Sequence, residues 1–432
     1  MVIQVLYVCG NRKRKQKFNL RVNKIKSKVS LEWLVVFCCL LIFAGLVSSR
    51  AVISVGMIVL VLVVLWHNGI KNTLSAYCRP GAQTLLLLLF LLVFVSGLWS
   101  NDKTEWLSWV RIKLPYLFIP LSFAGLKQFN PKQFAVILYG FVLAIVGSTF
   151  LVLANYALHY QEINQSFLSG GGIPVPFSHI RHTLMLSFGF AACIFMLENK
   201  LIVFHVNEKW LQLFLAIFSF VALHILTVRS GLLALYIGSA VYLIHFVASR
   251  KKYVLGAAIT GVLMTLLCIA YISLPSLQNK IKYMKYDLEL YQNGQFANTN
   301  DGVRLVSLQV GLEVWKQNAW LGTGAGDLKA ACMKVFDEKY PDLNDFSRKL
   351  PHNQFLWVLS SCGAFAFLLF VMAVVSPLFI QPASKNWLYI AFHLMILSSF
   401  LFEHTLEEQI GTGFYVLMFM VLIKHPDQTI ET

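Results

Sequence analysis

The stretch TLLLLLFLLVFVSGLW at residues 84–99 decides the fold class of this protein. It carries no charged residue over a length close to what a hydrocarbon layer of ~30 Å requires of a helix. Similar runs, such as AVISVGMIVLVLVVLW at residues 51–66, recur along nearly the whole chain of 432 residues. Because an unpaired backbone group in lipid costs several kcal/mol, spanning segments are helices or closed barrels. The runs show no alternation with a period of two, so we predict an all-α polytopic membrane protein.

The charge of the chain is unevenly distributed. Only 13% of its residues are charged and 57% are hydrophobic, whereas soluble proteins average about 25% charged residues. This composition excludes a soluble multidomain protein. Lys and Arg nevertheless outnumber Asp and Glu by 36 to 20, a net charge of +16, which is typical of partners of nucleic acid or of a membrane surface. Nine of the basic residues lie within residues 1–30 without any acidic residue, so we attribute the excess mainly to membrane orientation and exclude nucleic acid as a partner.

Twelve candidate spans divide the chain, and their connections alternate between rich and poor in Lys and Arg. Because basic residues in short connections favour the cytoplasm, this alternation predicts an even number of spans with both termini in the cytoplasm. The spans are centred on residues 32–48, 51–66, 84–100, 108–125, 133–154, 177–197, 210–228, 231–248, 253–273, 355–376, 387–402 and 411–424. The predicted domains are a basic cytoplasmic N-terminus, transmembrane helices 1–9, a large outer loop, transmembrane helices 10–12 and a cytoplasmic tail, at residues 1–30, 31–273, 274–353, 354–424 and 425–432.

The large outer loop has a helical pattern of its own. Apolar residues recur at helical spacing after Gly302, namely Val303, Val306, Val310 and Val314. Asp327 is placed to cap a second short helix that ends near Tyr340. Because long loops in compact proteins are usually functional or disordered, this periodicity favours a functional loop.

Several basic residues stand near the outer ends of apolar spans, where charge is costly and often marks a substrate path. They are Arg111, Lys113, Arg181 and Arg229, together with Arg304 at the start of the amphipathic helix. Brought together by the topology, they would form a cationic chamber. An arginine fork matches phosphate oxygens, which favours a lipid phosphate or pyrophosphate as the ligand. The alternative is that some of these side chains reach the membrane interface or cap helices.

His352 lies between the large loop and the tenth span. Asn353 can cap the following helix, which would hold the imidazole at the water interface as a capping residue or as the acceptor of a hydroxyl proton. For Glu403 and Glu407 two interpretations stay open: a solvated rim, or residues that orient arginines and bind the acceptor sugar. Neither the histidines nor the cysteines show metal-ligand spacing, so we expect no metal ion and no cofactor.

Four motifs, in order along the chain, resemble those of the O-antigen ligase and O-antigen polymerase superfamily. They are Arg-Ser-Gly at residues 229–231, Arg-Leu at residues 304–305 followed by Gly-Thr-Gly at residues 322–324, His-Asn-x-x-Leu at residues 352–356, and the glutamates Glu403 and Glu407 before Gly411. The resemblance spans residues 100–424.

This resemblance implies a GT-C-like, metal-independent glycosyltransferase in the bacterial inner membrane, with its active site on the periplasmic side. The donor would be an undecaprenyl-pyrophosphate-linked glycan and the acceptor a glycolipid such as lipid A core, or another glycan. Carried over to this sequence, Arg229 and Arg304, with Arg181 as an addition, would bind the pyrophosphate, and His352 would activate the acceptor hydroxyl. Arg111, Lys113, Asn353, Glu403 and Glu407 are further candidates for substrate binding.

Other functions remain compatible with the sequence. An O-antigen or exopolysaccharide polymerase would use a second lipid-linked repeat as the acceptor, and a protein O-oligosaccharyltransferase would use protein hydroxyls. A lipid or polysaccharide transporter would carry out no transfer. The donor chemistry is common to the enzymes, so the sequence leaves these alternatives open.

Overall fold

The computed structural model describes residues 30–167, 172–203, 205, 207–254 and 300–426, with isolated positions between 256 and 293. All regular structure in these ranges is helical, which confirms the predicted all-α fold class. The predicted span at residues 253–273 lies almost entirely outside the described residues. The basic N-terminus at residues 1–29 and the first part of the large loop lie outside them as well.

The described residues form seventeen α-helices, numbered here in chain order. They are α1 (Leu31–Ser48), α2 (Arg50–Asn68), α3 (Ile70–Tyr77), α4 (Ala82–Ser96), α5 (Lys103–Lys113), α6 (Pro115–Phe123), α7 (Pro131–Leu158), α8 (Tyr160–Phe167), α9 (His179–Glu198), α10 (Glu208–Leu226), α11 (Arg229–Arg250), α12 (Asn300–Gln317), α13 (Leu328–Lys339), α14 (Gln354–Val375), α15 (Pro377–Ile380), α16 (Trp387–Phe400) and α17 (Gln409–Ile423). Two 3-10 helices, Pro382–Lys385 and Thr405–Glu407, flank α16.

Seven of the described helical segments are long and apolar enough to cross a membrane: α1, α2, α7, α9, α10, α11 and the pair α14 and α15. An eighth span results if α3 and α4, which are bent by 86°, form one broken span. The predicted count of twelve is thus not confirmed. Three of the predicted spans coincide with α4, α16 and α17, which have 15, 14 and 15 residues.

The predicted span at residues 108–125 is two helices. Helix α5 ends at Lys113 and α6 begins with Pro115. Proline has no backbone N–H to continue the hydrogen bonds of the preceding helix and suits the first turn of a new one. The break allows the side chain of Lys113 to lie at the end of a helix and not in the middle of a span.

Helices α9 and α17 form the centre of the bundle. Every residue of α17 from Ile410 to Leu422 is buried, and α9 packs against α7, α10, α11 and α16. The outward faces of the surrounding helices expose apolar side chains such as Ile58, Phe150 and Phe214. A buried centre with an apolar exterior is typical of a protein whose solvent is lipid.

The Gly-Thr-Gly segment of the large loop docks onto a break in α14. Gly363 has a φ of +81° inside that helix, which leaves carbonyl groups of the preceding turn without helical partners. Thr323 donates its backbone N–H to the carbonyl of Ser360 at 3.0 Å, and Gly324 donates to Ser361 at 2.8 Å. The loop therefore completes the broken helix, and this pairing fixes α12 and α13 against α14.

Helices α12 and α13 match the pattern predicted for the large loop. Val306, Val310 and Val314 are fully buried, as the helical spacing indicated. Asp327 precedes α13 as predicted, but its carboxylate does not cap that helix. It accepts hydrogen bonds from the backbone N–H groups of Asn101 at 2.7 Å and Asp102 at 2.8 Å, because the segment that precedes α5 presents these groups to it.

Candidate functional site

Most of the predicted site residues meet at one segment between α16 and α17, residues 403–408, which we call the acidic loop. It contains Glu403, Glu407 and Glu408, and the first two are buried. Gln354, the first residue of α14, accepts a hydrogen bond from the backbone N–H of Leu406 at 2.8 Å. The loop is therefore held inside the protein, so Glu403 and Glu407 do not form the solvated rim considered above.

Arg181, in the first turn of α9, anchors the acidic loop. Its side chain is only 3% exposed and lies 3.5 Å from a carboxylate oxygen of Glu403 and 3.2 Å from one of Glu408. The guanidinium also donates to the carbonyl of His404 at 2.9 Å and to that of Thr405 at 3.2 Å. All three guanidinium nitrogens thus have partners within the protein.

Lys113 reaches the same loop from the end of α5. Its ammonium lies 2.7 Å from Glu407 Oε1 and 2.7 Å from the carbonyl of Leu406, and the side chains of the pair are 4% and 1% exposed. Gln354 Nε2 donates to the same oxygen of Glu407 at 2.7 Å. Lys113 therefore neutralises a buried carboxylate and does not extend toward the membrane interface.

His352 stands where α12, α14 and the acidic loop meet. Its Nδ1 atom is 3.5 Å from Glu403 Oε2, and its backbone N–H is 3.4 Å from the hydroxyl of Ser307 in α12. Asn353 caps α14 as predicted, since its side-chain oxygen accepts from Leu356 N at 2.9 Å. The amide nitrogen of Asn353 donates to the carbonyl of Leu401 at 3.1 Å, which ties the start of α14 to the end of α16.

A second histidine, His404, shares the carboxylate of Glu403. Its Nδ1 atom lies 3.6 Å from Glu403 Oε1, and its ring centroid is 5.3 Å from that of His352. Burial raises the pKa of Glu403, but contact with His352 and the charges of His404 and Arg181 outweigh burial and lower it to about 2. Burial lowers the pKa of His404 to about 4. At neutral pH the site thus holds a carboxylate beside an uncharged His404.

Arg229 and Arg304, the other two arginines predicted to bind the pyrophosphate, lie on an open side of the site. Arg229, the first residue of α11, pairs with Asp301 at 2.8 Å and is 56% exposed. Arg304 is exposed one turn further along α12, and Ser307 follows it by three residues and donates to its carbonyl. Helix α12 therefore connects the pair formed by Arg229 and Asp301 to the backbone of His352.

The five basic side chains do not form the predicted cationic chamber. Lys113 and Arg181 are each paired with carboxylates, while Arg111 is exposed, because unpaired charges are too costly to bury together. His404 and Gln354 were not singled out from the sequence. The adjacency of His404 to Glu403 in FEHTLEEQIG was an available signal, but its partner His352 lies far away in the chain.

The fold and the site together define a helical membrane protein with a buried ionic centre and exposed arginines beside it. The family model described as O-antigen ligase matches residues 214–371 of the chain. That segment holds Arg229, Arg304 and His352. The match confirms the resemblance to the O-antigen ligase and polymerase superfamily and supports a glycosyltransferase of that family. Arg181 and the acidic loop lie outside the matched segment. No curated protein matches the chain significantly.

Proposed function

We propose that this protein transfers a glycan from undecaprenyl pyrophosphate to a periplasmic acceptor such as lipid A core, without a metal ion. The observation that carries the proposal is the pairing of His352 with Glu403 at 3.5 Å. His352 lies within the segment that matches the O-antigen ligase family. Arg304 lies on α12, the helix whose Ser307 contacts the backbone of His352, and Arg229 pairs with Asp301 in the first turn of that helix.

The proposed reaction is a single displacement at the anomeric carbon. Because Nδ1 of His352 is the atom near Glu403, we assign the proton transfer to Nε2, which removes the proton of the acceptor hydroxyl. The acceptor oxygen then bonds to the anomeric carbon while the bond to the pyrophosphate oxygen breaks and its electron pair leaves with the pyrophosphate. Glu403 stabilises the imidazolium, and Arg229 and Arg304 stabilise the charge on the leaving group. Attack opposite the leaving group would invert the anomeric configuration, so a product that retains the donor anomer would contradict this step.

The remaining predicted site residues divide into two roles in this proposal. Arg111 is exposed and available to a substrate. Lys113, Glu407 and Asn353 are engaged with the acidic loop or the end of α16, which favours a role in holding the site together. The assignment of Arg181 to the pyrophosphate stays a prediction, since its contacts favour the positioning of Glu403.

The proposal includes an arrangement in the membrane. We propose that the chain lies in the bacterial inner membrane with both termini in the cytoplasm and the large loop and acidic loop on the periplasmic side. The nine basic residues within residues 1–30 support this orientation. Accessibility of single cysteines, introduced at Lys316 in α12 and at Lys385 before α16, to an impermeant thiol reagent tests it. The first should react from the periplasm and the second should not.

The decisive test is transfer by purified protein in proteoliposomes. The lipid-linked donor is offered with lipid A core, a second lipid-linked repeat or a peptide, and the products are separated by mass. We expect transfer to lipid A core and no loss of activity with a metal chelator. His352→Ala should abolish transfer and leave donor binding intact, whereas His159→Ala, which changes an exposed histidine at the end of α7, should behave as the wild type. Full transfer by His352→Ala would reject its role as the base.

The same assay separates the alternatives. Elongation of the lipid-linked repeat would identify a polymerase, and a glycosylated peptide would identify a protein O-oligosaccharyltransferase. Normal polysaccharide export without any transfer would favour a transporter.

A further inference from the structure

The two histidines and the glutamate at the centre of the site have the arrangement of metal ligands. One nitrogen of His352, one of His404 and a carboxylate oxygen of Glu403 all lie within 4.8 Å of one another. We infer that these three residues bind a divalent cation of the zinc class, which is not required for the proposed transfer and competes with it.

The distances from the two histidine nitrogens to the carboxylate match the spacing of neighbouring ligands of one ion. The Nδ1 atoms of His352 and His404 lie 3.5 and 3.6 Å from the two oxygens of Glu403, too far for good hydrogen bonds. Zinc binds nitrogen and oxygen at about 2.0–2.2 Å in tetrahedral geometry, so neighbouring ligand atoms are roughly 3.3–3.6 Å apart. Both Nδ1 atoms are buried and have no hydrogen-bond partner among the described residues. A bound cation would satisfy both nitrogens at once, since leaving them unpaired is costly.

The three ligands are held by contacts outside the cluster. The backbone N–H of Glu403 donates to the carbonyl of Ser399 at 3.0 Å, and the carbonyl of His404 accepts from Arg181. His352 is fixed by the cap of α14 at the next residue and by the contact of its backbone with Ser307. Such outer contacts orient ligands in known metal sites. The three side chains, whose ligand atoms lie within 4.8 Å of one another, would close around the ion on binding.

The neighbouring charges limit both the affinity and the choice of ion. Arg181 lies 3.5 Å from Glu403 Oε1 and repels a cation, while Glu408, 3.2 Å from Arg181, partly offsets that charge. We therefore expect reversible binding and not a permanent structural ion. Two imidazoles and one carboxylate favour zinc over magnesium or calcium, which prefer oxygen ligands. Three protein ligands also leave one coordination position open.

Ion binding would interfere with the proposed base. A cation on Nδ1 of His352 removes the imidazole from its contact with Glu403 and makes the ring a weaker proton acceptor. This consequence rests on the proposed function, whereas the binding site itself does not.

Binding is tested directly on the full chain, purified in detergent. Zinc is titrated against a chromophoric chelator, and Co²⁺ is used as a spectroscopic probe of tetrahedral coordination. We expect one Zn²⁺ per chain and a visible Co²⁺ band. His404→Ala and His404→Gln should each weaken zinc binding at least about tenfold and remove the band, whereas His159→Ala should bind as the wild type. Gel filtration identifies any variant that does not fold, and the remaining variant then decides the test.

Equal zinc affinity in the wild type and in a folded His404 variant would overturn the inference. The transfer assay is run in parallel, so that a failure of the metal-site inference can be distinguished from a failure of the proposed transfer function. Inhibition of wild-type transfer by Zn²⁺ and recovery with a chelator would support the competition. Transfer by His352→Ala would reject the proposed base without affecting the binding result, and loss of zinc binding in the His404 variants would support the metal site whatever the transfer assay gives.

Discussion

Two regions of this protein differ in how their basic side chains are paired and exposed. Lys113 and Arg181 are buried, and their side chains form hydrogen bonds and ion pairs with the acidic loop. Arg229 and Arg304 are exposed on α11 and α12, and Arg229 shares its charge with a single carboxylate, that of Asp301. A cation near the end of an apolar helix is therefore either paired within the fold or left exposed. Burial decides between them, because a buried charge must be paired to be tolerated.

The two regions should therefore respond differently to mutation. Changes in the buried region should mainly lower the free energy of unfolding, and changes on the open side should mainly lower transfer. Four variants, in order from the largest expected effect on stability to the smallest, test this difference.

Lys113→Met should have the largest effect on stability. It leaves the carboxylate of Glu407 buried with Gln354 as its remaining partner, and breaking a buried pair typically costs about 3–5 kcal/mol. The measurement is reversible unfolding in mixed micelles with increasing denaturing detergent. The double variant Lys113→Met with Glu407→Gln should recover part of the loss. Arg111→Met, two residues away on the same helix and exposed, is the matched control and should change stability by less than about 0.5 kcal/mol.

Arg181→Lys should have the second largest effect on stability. Lysine keeps the charge but cannot reproduce the fork that contacts Glu403, Glu408 and two carbonyls. Loss of hydrogen bonds to a charged group costs about 1.5–3 kcal/mol in the same unfolding assay. Arg50→Lys is the control, because Arg50 contacts Glu408 at 3.6 Å from an exposed position. Equal losses in both variants would contradict the difference between the regions.

Asp301→Asn should lower stability only slightly, by about 0.2–1 kcal/mol, since exposed ion pairs contribute little. It removes the carboxylate that faces Arg229 at 2.8 Å. If Arg229 binds the donor pyrophosphate, this change should strengthen donor binding in titrations with lipid-linked glycan. A loss of stability as large as that of Lys113→Met would show that the open side is also a structural ion pair.

Arg304→Ala should leave stability within about 0.5 kcal/mol of the wild type and have the largest effect on transfer of these four. Removal of one preorganised donor to a developing charge costs about 10²-fold in rate. Arg304→Lys should recover part of the activity. Lys316→Ala is the control on the same helix, because Lys316 is exposed and pairs with Glu313 at 3.0 Å. Unchanged transfer by Arg304→Ala would remove it from the proposed donor site.

Features that depend on neighbouring residues could be predicted from the sequence. The apolar runs indicate helices in a membrane, the spacing of Val306, Val310 and Val314 indicates the buried face of α12, and Asn353 caps α14 as predicted. Each of these depends on contacts within a few residues, where helical geometry relates sequence spacing to position in space. The family motifs at Arg229 and His352 were recognisable for the same reason, since each is a short continuous stretch.

The ion pairs and the lengths of the spans depended on tertiary structure. Arg181 and Glu403 are 222 positions apart, and Lys113 and Glu407 are 294 apart, so no local pattern relates them. Hydropathy marks apolar residues but does not predict where a helix ends. Among the described residues seven helical segments are long enough to span a membrane, whereas the apolar runs of α16 and α17 form helices of only 14 and 15 residues. The sequence thus determined where charge occurs along the chain. Only the packing of α5, α9, α12 and α14 around the acidic loop decided which charges are neutralised and which stay exposed, because pairing depends on distance in space.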